Sequence, residues 1–145
     1  MTTGGGGLVL DSFDQAVTAL DRLLAQTEDP GVLASLDEVT RRGLKAGCIQ
    51  YFEFTYELAW KFIKRWLERQ VGGTYVDGVS RRELFRLAAE HLLIEDVDLW
   101  MDFYKARNLT SHTYSDAAAE DAYRVARRFR DEAKRLLAVL ESRND

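Results

Sequence analysis

The chain has 145 residues, 46% of them hydrophobic, which suits one domain with a real core and excludes wholesale disorder. A formal net charge of −4 gives no global drive towards nucleic acid or an anionic membrane, so any RNA contact has to rest on a local basic patch. A single cysteine, Cys48, excludes a disulfide framework and a multi-cysteine zinc site; inside an apolar run it reads as a small buried hydrophobe.

The opening MTTGGGG lacks the basic and apolar regions of a signal peptide, so residues 1–10 read as a flexible leader and residues 11–142 as a single helical domain. A first helix is expected from Asp11 or Ser12 to Gln26, with Phe13, Val17, Leu20 and Leu24 on one face. The stretch TEDPG, holding the one proline, breaks the chain. The longest helix should start between Leu36 and Glu38 and reach Gln70. Its apolar set Ile49, Phe52, Tyr56, Ala59, Ile63 and Trp66 steps by three and four, and Tyr51, Phe54, Leu58 and Phe62 widen the stripe. A helix apolar over most of its circumference is central or covered by a partner. The polar strip that remains is narrow: Gln50, Glu53, Glu57, Lys61 and Lys64.

VGGTYVDGV reads as a loop, and SRRE as a capping box in which Ser80 accepts from the backbone and Glu83 reaches back. A third helix then runs to His91, and a fourth from Asp96 through DLWMDFYKARNLTSH. Ser115 or Asp116 caps a fifth, which continues to Glu141. Long helices with short connections read as an all-α, antiparallel up-and-down bundle of four or five helices. No stretch approaches the roughly 20 apolar residues of a membrane span, and a cytoplasmic location is expected.

Chemistry concentrates in RNLTSHTY, Arg107 to Tyr114, which holds one of the chain's two histidines. Arg107 and His112 are five residues apart, about 140° of rotation on a straight helix. One copy therefore does not aim both at one point unless the last turn loosens, whereas two copies about a two-fold axis could share a cleft. The chemistry such residues offer is phosphodiester cleavage. A neutral histidine can take the proton of a ribose 2′-hydroxyl, and a permanently charged, forked arginine can hold the phosphate. No metal or cofactor is called for if the ribose supplies the nucleophile. Asn108 could orient the histidine or the phosphate, Ser111 shares a face with Arg107, and Tyr114 offers a hydroxyl for contact or modification. The plainer alternative is a helix end whose histidine and serine cap carbonyls. The arginines of the fifth helix, Arg124, Arg127, Arg128 and Arg130, read as a solvated face.

RNLTSHTY resembles the R-x4-H-x-Y signature of the HEPN superfamily, and in particular of the nucleotidyltransferase substrate-binding proteins. QYFEFTYELAWKFIKRWLE and SRRELFRLAAEHLLIEDVDLW resemble the group's second and third segments, in the same order. Arg81 departs from the pattern, standing where proline is expected in many relatives. The resemblance implies a helical bundle that forms a two-fold homodimer, and a separate minimal nucleotidyltransferase as partner. It implies one of two roles. In one, the protein is a metal-independent RNase toxin with Arg107 and His112 catalytic, Asn108 supporting, and Tyr114 the target of silencing adenylylation. In the other, it is a non-catalytic subunit that binds RNA or a nucleotide as substrate for the transferase. Glu53 and Glu57 match acidic positions of the second segment and mark a candidate cleft or partner face. The chain carries no Gly-Ser loop followed by paired carboxylates on a strand, so it has no nucleotidyltransferase site of its own.

Overall fold

Side-chain caps mark where five of the helices begin. Asp29 accepts from the amides of Gly31 and Val32, Asp37 from Thr40, Ser80 from Glu83, Asp96 from Leu99 and Ser115 from Ala118, each satisfying an amide that has no partner inside its helix. The computed structural model describes residues 7–110 and 115–144. Among these residues the helices are α1 (Asp11–Glu28), α2 (Pro30–Ala34), α3 (Glu38–Val71), α4 (Gly73–Val76), α5 (Arg81–Glu90), α6 (Val97–Leu109) and α7 (Asp116–Ser142). The expected break at TEDPG is real but short: Asp29 caps a turn of helix with Pro30 in its first position. The expected loop VGGTYVDGV likewise contains the short α4, between Gly72 and Gly78, whose φ angles of 92° and 72° suit glycine.

Cross-helix contacts give the directions. Phe13 stacks on Phe62 at 5.8 Å, while Thr55 donates to the carbonyl of Ala16, so α1 and α3 are antiparallel. Arg42 meets Asp116, Lys45 meets Glu120 and Phe52 meets Phe129, so α3 and α7 are parallel. Arg107 lies beside Glu53 and Glu57, and Tyr104 shares a cation with Trp60, so α6 runs against α3. The four long helices α1, α3, α6 and α7 thus run up, down, up, down, with α5 packed beside α6. No helix among the described residues is long and apolar enough to cross a membrane.

The core is aromatic at its centre. Phe129 meets Phe52 and Phe103 edge-on at 5.2 Å and Trp100 at 5.8 Å. Ile49, Phe52, Tyr56, Ala59, Ile63 and Trp66 are all buried, as their spacing requires. The second apolar set of α3 splits. Phe62 is buried and Leu58 partly so, but Tyr51 is 42% exposed and Phe54 61%. Cys48 and Thr27 lie against each other inside the core, and burial pushes the Cys48 thiol up. The SRRE cap is half formed: Ser80 accepts from Glu83, but the Glu83 carboxylate pairs with Arg86 at 2.8 Å instead of reaching back. The expected solvated arginine face of α7 holds for Arg124, Arg127 and Arg128, which are exposed, and fails at Arg130. Arg130 turns inward onto Glu28 of α1 with only 14% of its side chain exposed, and Arg127 meets the same carboxylate from the surface.

Candidate functional site

Arg107 occupies the last turn of α6 and reaches across to α3. Its Nη1 lies 3.5 Å from Glu53 Oε2, and its Nε 3.3 Å from Glu57 Oε1. Glu53 and Glu57 are one helical turn apart on α3, so they present two carboxylates to one guanidinium. All three side chains are about two-thirds buried. The Nε of Arg107 is fully enclosed, and its approach to Glu57 lacks the alignment of a hydrogen bond. Glu53 and Glu57, without a role in the sequence beyond their place in a pattern, are therefore the direct partners of the motif arginine.

Asn108, next along α6, is exposed. Ser111, His112 and Tyr114 lie outside the described residues. The expectation that the helix runs on to His112 is corrected for its described part: α6 ends at Leu109. Thr110 tightens the turn there, its backbone N–H and its hydroxyl both returning to the carbonyl of Arg107, the hydroxyl at 2.7 Å.

A groove of about 840 Å³ opens beside this point, between the first half of α3 and the start of α7, and Glu53 and Thr110 form part of its wall. Two of its three cations are matched by acids, and the third, Arg41, donates to the Leu36 carbonyl. Lys45 Nζ meets Glu120 at 2.7 Å and lies over the Tyr123 ring, while Arg42 meets Asp116 at 3.0 Å and Glu38 at 3.5 Å. These residues escape a reading of the sequence because only the parallel packing of α3 and α7 brings positions some 75 apart together.

A second cluster lies on the other side of Glu57. Trp60 Nε1 donates to Glu57 Oε2 at 3.0 Å. The Arg81 guanidinium lies 3.8 Å from the Trp60 ring and 5.0 Å from Tyr104, and its Nη1 donates to Tyr56 Oη at 3.0 Å. Tyr56 is wholly buried, and that burial pushes its phenol far up, so it stays neutral and accepts. The Glu57–Trp60 spacing of three is a signal the sequence does hold; the part of Arg81 is not.

Fold and site together define an all-α bundle whose motif arginine stands at the end of one helix, held by a carboxylate pair on the central one. The chain belongs to the nucleotidyltransferase substrate-binding protein family: the family model described as "nucleotidyltransferase substrate binding protein like" matches residues 8–142. It is 33% identical over 138 residues to a Haemophilus influenzae protein named probable ribonuclease HepT, covering 94% of each chain. Its fold is similar to that of a Haemophilus influenzae structure described as revealing the fold of a substrate-binding domain of a nucleotidyltransferase. The TM-score is 0.88 at 30% identity, over 92% of this chain and 99% of that one. A crystal structure from Thermus thermophilus is similar at a TM-score of 0.68 and 26% identity, over 88% of this chain and 98% of the other.

Proposed function

We propose that this protein is a metal-independent ribonuclease acting as a homodimer, and that a separate minimal nucleotidyltransferase silences it by adenylylating Tyr114. The observation that carries the reading is Arg107 held by Glu53 and Glu57 at the end of α6, beside an open groove and five residues before His112. Cleavage begins when His112 takes the proton of a ribose 2′-hydroxyl and that oxygen attacks the adjacent phosphorus. The bond to the 5′ oxygen breaks, that oxygen takes up a proton, and a 2′,3′-cyclic phosphate and a 5′-hydroxyl remain. Arg107 stabilises the charge that develops on the phosphate, and a guanidinium already fixed by two carboxylates needs little reorganisation to do so. Asn108 and Ser111 support the phosphate or the imidazole. A nucleotide on Tyr114 would bring negative charge and bulk close to His112 and repel the RNA backbone.

A second reading has an observation of its own. Arg42 and Lys45 of the groove are paired with acids and Arg41 donates to the Leu36 carbonyl, so the groove beside the motif is not strongly basic. That balance suits a non-catalytic subunit presenting a substrate to the transferase. One experiment separates the two. Purified protein is incubated with RNA in EDTA, beside His112→Ala, and the ends are analysed. Cyclic phosphate ends from the wild type alone, absent on 2′-O-methyl RNA, support the ribonuclease. No cleavage by either protein leaves the substrate-binding reading. Mass spectrometry after incubation with the transferase, ATP and magnesium then tests for AMP on the Tyr114 peptide.

A further inference from the structure

Arg107 is not held by its two carboxylates alone, because one of them is itself held. Trp60 donates its indole N–H to Glu57 Oε2 at 3.0 Å, and the other oxygen of Glu57 faces Arg107 Nε at 3.3 Å. A glutamate with one oxygen committed loses the freedom to swing its second oxygen away, so the indole bond fixes the carboxylate oxygen that faces Arg107. Arg81 acts on the same pair of helices. Trp60 stands one turn beyond Glu57 on α3, and Tyr104 one turn before Arg107 on α6, which runs the other way. The Arg81 guanidinium, entering from the first turn of α5, packs against Trp60 and Tyr104 at 3.8 and 5.0 Å and donates to the buried Tyr56 hydroxyl. Arg81 with its two rings, and Arg107 with its carboxylates, are thus successive rungs across one α3–α6 gap. Fixing the first sets the spacing of the second.

We infer that Trp60 and Arg81 are positioning residues for Arg107, acting through Glu57 and through the α3–α6 spacing. This rests on the ribonuclease reading only for its kinetic consequence; the geometric consequence stands apart from it.

Trp60→Phe keeps an aromatic ring for Arg81 to pack on and removes the indole N–H along with the five-membered ring that carries it. The Arg107 Nε–H signal in a nitrogen-15 NMR spectrum, assigned by its loss in Arg107→Lys, reads the positioning directly. In Trp60→Phe this signal should shift and its proton exchange faster with water, while the thermal midpoint stays close to wild type. On RNA, kcat should fall about tenfold with KM unchanged, as expected when an oriented group loosens without losing its charge. Arg81→Lys should move both readouts in the same direction, since a compact ammonium does not stack as a guanidinium does. An unchanged Arg107 signal in a folded Trp60→Phe overturns the inference, and so does unchanged kcat in an active enzyme. If the wild type does not cleave RNA, the ribonuclease reading fails and the NMR signal still decides the positioning. Should Trp60→Phe not fold, Arg81→Lys decides alone, with the same expected shift and the same overturning result.

Discussion

At Arg107, two formal negative charges face one positive charge, at 3.5 and 3.3 Å. Partly buried ion pairs that fall short of hydrogen-bond geometry add little to stability, because desolvation offsets their attraction, so the arrangement is better explained by what it does to the arginine. A guanidinium can satisfy two carboxylates and still offer an N–H edge to a phosphate, whereas a lysine ammonium is a single point of charge. We therefore expect Arg107→Lys to keep its thermal midpoint within a few degrees while RNA cleavage falls about a hundredfold or more, the scale of losing one aimed donor at a developing charge. The check is kcat from a fluorescent RNA beside calorimetry of the same protein. Retained cleavage by the lysine variant would mean that charge alone suffices and that the carboxylate frame is incidental.

At the scale of elements, what was legible in the sequence was the buried side of each helix. The steps of three and four from Ile49 to Trp66 and along α7 follow from helix geometry alone, and every one of those positions in α3 is buried. Illegible was anything set by which helices become neighbours. Periodicity cannot say that Arg130 turns towards Glu28 rather than water, or that Arg81 finds two rings from other helices. The motif was legible as a pattern, but its partners Glu53 and Glu57 were only a polar strip until α6 was laid against α3. The α1–α7 tie carries its own prediction. Arg130 donates to both oxygens of Glu28 at 2.7 and 3.0 Å, and Arg127 adds a third bond at 3.0 Å. The Arg130 hydrogen bonds hold the Glu28 carboxyl below its ordinary value of 4.5, in spite of partial burial. A lowered folded value means that this contribution is fully present above the unfolded value and is lost as pH falls through the folded one. Glu28→Gln should cost about 1–3 kcal/mol at neutral pH, the range for hydrogen bonds to charged groups. Urea titrations should show that penalty shrinking as pH drops below about 4.5, because the wild type then loses the same bonds. A penalty independent of pH would place the stabilisation in packing instead.

The assembled molecule poses the question of how two copies meet. The rotation of about 140° between Arg107 and His112 holds only on a continuous helix, and α6 stops at Leu109. A dimer therefore has to be argued from surface. The arc of α3 that begins at Glu53 and Glu57 continues through Phe54 to Tyr51, and α6 ends on Leu109, which is 63% exposed. Both helices that meet at the motif arginine thus carry apolar side chains outward, beside the groove that the same arginine's partner Glu53 lines. A second copy placed there would cover the rings and set its motif beside the first, as the proposed homodimer requires. The expected mass by light scattering at micromolar concentration is therefore twice the chain's 16.6 kDa. The double variant Tyr51→Lys, Phe54→Lys puts charge on a covered apolar face and should shift the protein to monomer. Both side chains point out of the core, so circular dichroism should show unchanged helix content. RNA cleavage should fall with the loss of dimer and recover in part as protein concentration is raised. A wild type that scatters as a monomer would remove the shared cleft, and a monomeric variant that cleaves at the wild-type rate would place the whole reaction within one copy.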